Sequence, residues 1–106
     1  MDSIKIIAVD FDGTLCENKW PEIGEPINRV IEFIKNKQKN GTKIILWTCR
    51  EGKRLLEAAI WCEKHGLIFD AINESLPESA EKYNGYSRKV YADIYIDDKS
   101  INPSMI

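Results

Sequence analysis

The amino-acid sequence predicts an α/β fold of three layers, a short parallel sheet covered by helices on both faces. Three observations carry that reading. Short, nearly continuous apolar runs rich in β-branched residues recur along the chain, the pattern of strands buried on both sides. Segments of about a dozen residues with apolar positions at helical spacing separate them, as right-handed crossover units require. The polar residues with useful chemistry directly follow the apolar runs, and parallel sheets bind ligands beyond the carboxyl ends of their strands.

The first strand is expected over residues 4–9, where Lys5 is the one charge, and it stops at Asp10. Residues 13–24 hold Asn18, Pro21 and Gly24 without clear periodicity and read as a loop with room for a small hairpin. Pro26 opens the first helix, in which Ile27, Val30, Ile31 and Ile34 recur at helical spacing. Gly41 supplies its left-handed stop, and Lys35, Lys37, Lys39 and Lys43 are the solvated charges of a helix end and turn. A second strand over residues 43–47 ends at Thr48. Leu55, Leu56, Ala59, Ile60 and Trp61 place an apolar stripe on a helix over residues 51–65, which Gly66 ends. Residues 67–72 form the third strand, and residues 73–88 are polar connection with one helical turn around residues 77–82. Ile94, Tyr95 and Ile96 make the last strand, terminated by Asp97 and Asp98. Trp47, Trp61 and Phe69 are assigned to the core, and Cys49 is read as a small buried residue.

A chain of 106 residues is the size of one domain, so residues 1–106 are expected to form a single core. With 43% hydrophobic and 30% charged residues, that core is modest but sufficient, which argues against disorder. A net charge of -2 gives no electrostatic reason to hold duplex nucleic acid, so any phosphate must be bound locally. Cys16, Cys49 and Cys62 are too few for a disulfide framework and suit a reducing compartment. No apolar stretch approaches the roughly 18 residues of a membrane helix, so the expected location is the cytoplasm. Cys62 and His65 share a helix face but lack the further ligands of a zinc site. Neither a Walker loop nor a G-x-G-x-x-G sequence occurs.

The chemical residues gather at strand ends. Asp10, Phe11, Asp12, Gly13 and Thr14 put two carboxylates directly after the first strand, and Asp97 and Asp98 put two more after the last. Four carboxylates at one sheet edge would be costly without a compensating cation. Oxygen-only ligands suit a hard ion, and Mg2+ uses one or two carboxylates together with substrate phosphate. Thr48 either binds a ligand or caps the helix after it. Arg50, on the same turn, either reaches a substrate anion or pairs with Glu51 or another surface acid.

These residues resemble the haloacid dehalogenase superfamily, whose phosphatases open with an apolar strand and Asp-x-Asp-Gly-Thr, here Asp10 to Thr14. Its second motif, a Thr or Ser at a strand end, matches Thr48; its third, a lysine, is matched best by Lys89, with Arg88, Lys82 and Lys99 as other cations for the role. The fourth, an acidic pair after a strand, matches Asp97 and Asp98. The resemblance implies a Rossmann-like core with Asp10 as nucleophile and Asp12 as general acid, then base. It implies Mg2+ held by Asp10, the main-chain carbonyl of Asp12 and Asp97, with Asp98 close by or acting through water, and Gly13, Thr48, Arg50 and Lys89 on the substrate side. The second aspartate, Asp12, favours a phosphatase over a dehalogenase.

The intervals at residues 15–25 and 73–88 are too short for a folded cap domain, so a capless member with an open site is expected. Such a site admits a small or macromolecular phosphorylated substrate, or a second copy of the chain serving as lid. The stretch 89–99 also resembles the end of the 5'-deoxyribonucleotidase branch, which usually carries a cap, and this leaves a nucleotide among the substrates open to it. The competing expectations are a non-catalytic phosphate- or metal-binding module and a phosphotransferase.

Overall fold

A computed structural model describes residues 4–106. Strand β1 (Ile6–Val9) runs into a hairpin of β2 (Cys16–Lys19) and β3 (Glu22–Pro26), then helix α1 (Asn28–Lys39). Strand β4 (Lys43–Leu46), helix α2 (Gly52–Lys64), strand β5 (Ala71–Ile72), the short helix α3 (Pro77–Lys82) and strand β6 (Ile94–Ile96) come next, with a closing 3-10 turn at Pro103–Met105. The main sheet has the order β5-β4-β1-β6 and is parallel throughout, while β2 and β3 pair antiparallel in a separate ribbon. None of the described helices is long and apolar enough to cross a membrane.

Side chains of a strand alternate between faces, and β1 shows what this does here. Ile7 and Val9 join Ile44 and Leu46 of β4 in one cluster with Ile31 and Ile34 of α1 and Ala58 and Cys62 of α2. Ala8 and Ile45 point the other way, onto Leu76, Val90 and Ala92. Both faces of the central strands are covered, as their unbroken apolar runs require. Leu76 comes from the stretch that the sequence reads mostly as connection, and Val90 and Ala92 from the segment that leads into β6.

Both long helices end in the same way. After α2, the Gly66 amide donates to the Glu63 carbonyl and the Leu67 amide to the Cys62 carbonyl; after α1, Gly41 donates to Gln38 and Thr42 to Lys37. Each glycine takes the left-handed conformation that this paired closure needs.

Three elements differ from expectation. The third strand is two residues long instead of six: Leu67 is spent closing α2, and the Asp70 carboxylate, not the next strand residue, accepts the Ile44 amide at 2.8 Å. Pro26 does not open α1; it ends β3 paired with Cys16, and the helix starts at Asn28. On α2, Leu56 and Ile60 are exposed, and the buried residues are Ala58 and Cys62, because the helix is rotated to set Leu55 and Trp61 beside them against the core.

Truncating Ile34, fully buried in the larger cluster, should cost about 3 kcal/mol as Ile34→Ala. Leu56→Gln on the exposed side of α2 should stay within about 0.5 kcal/mol of wild type. Urea unfolding monitored by circular dichroism checks both values.

Candidate functional site

Strands β4, β1 and β6 run parallel, so the residues after them emerge at one edge of the sheet. The Asp10 amide donates to the Ile96 carbonyl at 2.9 Å and the Trp47 amide to the Val9 carbonyl at 2.9 Å, which extends the register past the strand ends. A cavity of about 420 Å³ opens there, lined by Asp10, Asp12, Thr48, Arg50, Asp97 and Lys99 among others.

One oxygen each from Asp10, Asp97 and Asp98 lies within 4.8 Å of the others, a spacing at which three carboxylates can share a cation. Phe11 donates its amide to Asp10 Oδ1 at 2.8 Å, and Lys99 its amide to Asp97 Oδ1 at 2.9 Å. Lys99 Nζ stands 3.3 Å from Asp98 Oδ2. Burial, then the neighbouring charges of Asp97, Asp98 and Asp12, push the Asp10 carboxyl up to about 6, against the Phe11 hydrogen bond. Like charges are concentrated here beyond what the protein's own groups neutralise.

Gly13 makes the close approach of the two acidic segments sterically feasible. Its φ is +85°, and a Cβ there would lie 2.2 Å from Asp98 Oδ2. Its amide donates to the Cys16 carbonyl at 2.8 Å, so Gly13 shapes the loop instead of presenting an N–H to a ligand.

Arg50 is 1% exposed. Its Nε and Nη2 each donate to an Asp12 oxygen at 2.8 Å, a two-pronged pairing. The same guanidinium donates to the Pro21 and Glu22 carbonyls at the tip of the β2–β3 hairpin. It lies 5.1 Å from the Phe11 ring centre and 4.9 Å from that of Trp20. The Asp12 hydrogen bond is the main reason the guanidinium holds its proton even more firmly than usual. Arg50 therefore pairs with neither Glu51 nor a surface acid: its partner is the second aspartate of the first motif.

Thr48 Oγ1 accepts the Arg50 amide at 3.1 Å, and the Thr48 amide donates to Asn73 Oδ1 at 2.8 Å. Thr48 is not the cap of α2; that position is Glu51, which makes no side-chain cap bond.

A solved structure of a conserved protein from Bacteroides thetaiotaomicron superposes with a TM-score of 0.83 at 44% sequence identity, over 93% of this chain and 79% of the other. The chain belongs to the family of that protein. No family model matches the chain, and no curated protein does.

In this member of the family, Asp10, Asp12, Thr48, Arg50 and Asp97 line one cavity, and Asp98 joins Asp10 and Asp97. Lys89 does not line it. Its Nζ lies 5.4 Å from the Tyr95 ring centre, and it borders a second cavity with Ser75, Ser79 and Tyr83. Lys99 is the lysine on the acidic cavity. Cys49 is exposed on the cavity wall instead of buried, and Trp47 lines the cavity while packing partly on the second apolar cluster. Asn18 and Trp20, on the hairpin, also line it, and no motif in the sequence marks them. His65 turns Nδ1 to the Trp61 carbonyl at 2.8 Å and Cys62 is a buried thiol pushed up to about 12; among the described residues neither belongs to a group of three side chains spaced to share a metal ion.

Arg50→Met should destabilise the protein by about 3 kcal/mol, because it leaves the Asp12 carboxylate without its partner. Adding Asp12→Asn should recover part of that loss, a coupling that denaturation of the single and double variants measures. For Asp10 the sign is set by its raised folded value: protonation stabilises the metal-free fold below about pH 4, and that stabilisation is lost as the pH rises through about 6. With a chelator present, Asp10→Asn should thus melt above wild type at about pH 8, and the gap should narrow at about pH 5.

Proposed function

We propose that this chain is a magnesium-dependent phosphate monoester hydrolase of the haloacid dehalogenase type, a single capless domain with a three-layer Rossmann-like core. The observation that carries this reading is the convergence of Asp10, Asp97 and Asp98 within 4.8 Å at the carboxyl edge of a parallel sheet. The donor set is all oxygen and anionic, which fits a hard divalent ion. When bound, Mg2+ supplies positive charge that offsets repulsion between an anionic nucleophile and an anionic ester.

With Asp10 Oδ1 held by the Phe11 amide, Oδ2 is the oxygen available for attack on phosphorus. A bond forms from Asp10 to phosphorus as the bond from phosphorus to the leaving alcohol breaks, and Asp12 gives that alcohol its proton. Water then attacks the aspartyl-phosphate while Asp12 takes a proton from it, freeing Asp10 and inorganic phosphate. Arg50 fixes where that carboxylate stands, and each Asp12 oxygen keeps a second lone pair at which the proton is held. The Thr48 hydroxyl accepts from Arg50 and keeps its own proton to donate to a phosphoryl oxygen. Its place on the cavity supports Lys99, and not Lys89, as the lysine that meets the phosphoryl group. Three free cysteines suit a reducing compartment such as the cytoplasm.

Phosphate release from p-nitrophenyl phosphate should require Mg2+ and stop on chelation. Asp10→Asn should lower the rate by on the order of a thousandfold or more with the fold retained by circular dichroism. Full activity in that variant would rule out the covalent scheme.

A further inference from the structure

The cavity beside Asp10 has two indoles in its wall. Trp47 comes directly after β4, and Trp20 stands at the tip of the β2–β3 hairpin, 56% exposed. An exposed tryptophan on a loop tip is ordinary, but this one is held in place. The Arg50 guanidinium lies 4.9 Å from its ring centre and bonds the carbonyls of the next two residues, Pro21 and Glu22. The Trp20 amide also donates to Asn18 Oδ1 at 3.1 Å. The ordering cost of presenting this ring to a ligand is thus met before binding.

The charges on the wall limit what that ligand can be. The basic residues lining the cavity are Arg50, with Nε and Nη2 committed to Asp12, and Lys99, 3.3 Å from Asp98. The remainder of the lining is Asn18, Cys49, Thr48 and the two indoles, facing Asp10, Asp12 and Asp97. Beyond the phosphoryl position the wall offers aromatic surface and no spare cation for a second anionic group.

We propose that the substrate is a phosphate monoester with an uncharged leaving group carrying a flat aromatic ring, which lies against Trp20 and Trp47. This rests on the hydrolase reading above and specifies its substrate class. The indoles supply stacking that an aliphatic group of equal size cannot match.

Benzyl phosphate and cyclohexylmethyl phosphate test it, since both release a primary alcohol of similar size and differ in the flat π-face. With Mg2+, the wild-type kcat/KM should favour the benzyl ester by about tenfold. Trp20→Leu and Trp47→Leu should each move that ratio several-fold toward one, a comparison made within each variant and so independent of how much of it is folded. As a second measurement, benzylphosphonate, which cannot be hydrolysed, should quench the indole fluorescence of the wild type more strongly than cyclohexylmethylphosphonate does. Equal wild-type turnover of the two esters would overturn this proposal alone. A tenfold preference unchanged in both variants would also overturn it, by removing the indoles from the explanation. Turnover of neither ester by protein that hydrolyses p-nitrophenyl phosphate would overturn this proposal alone, and failure on all three esters would overturn the hydrolase reading with it.

Discussion

Strand β1 lies between β4 and β6 and runs parallel to both, so the chain must leave all three strands at the same edge of the sheet. The chemistry of the molecule is set by that placement. Asp10 comes from β1, Thr48 and Arg50 from the turn after β4, and Asp97 and Asp98 from the end of β6. Residues nearly ninety positions apart in sequence meet because three backbones are in register, with the main chain of Asp10 bonded to Ile96. The apolar side chains below, Ile7, Val9, Ile44 and Leu46, keep those strands fixed against α1 and α2. A rigid sheet thereby holds together like charges that would separate if each sat on a flexible loop.

The second organising contact is the Arg50 guanidinium. Buried and flanked by two aromatic rings, it joins the Asp12 carboxylate to the tip of the hairpin. The hairpin has no strand pairing to the main sheet, and Arg50 is a direct tether between its tip and the acidic edge. The same group positions a carboxylate at the site and a wall of the cavity.

Much of this was legible in the sequence. The apolar runs before Asp10, Thr48 and Asp97 announced three strands, and their polar successors announced the site, because both signals are local and one-dimensional. Contacts that depend on chain reversal were not. Arg50 and Asp12 lie 38 residues apart, and nothing in the spacing says that Arg50 turns inward to the first motif instead of outward to Glu51. Trp20 and Asn18 reach the cavity because residues 16–26 fold back as a ribbon, in a stretch whose composition reads as a loop. Lys89 matched a motif by type and order, but its ammonium stands 5.4 Å from the Tyr95 ring centre and the residue lines a different cavity. The shortened third strand has a similar origin, since a side-chain oxygen of Asp70 replaces a main-chain partner.

Arg50 reaches the hairpin through the carbonyls of Pro21 and Glu22, not through their side chains. Every amino acid carries that carbonyl, so the tether imposes no identity on the two positions, only the path of the backbone. Related chains can therefore drift at the hairpin tip, altering the rim of the cavity, while the acidic edge stays anchored to it.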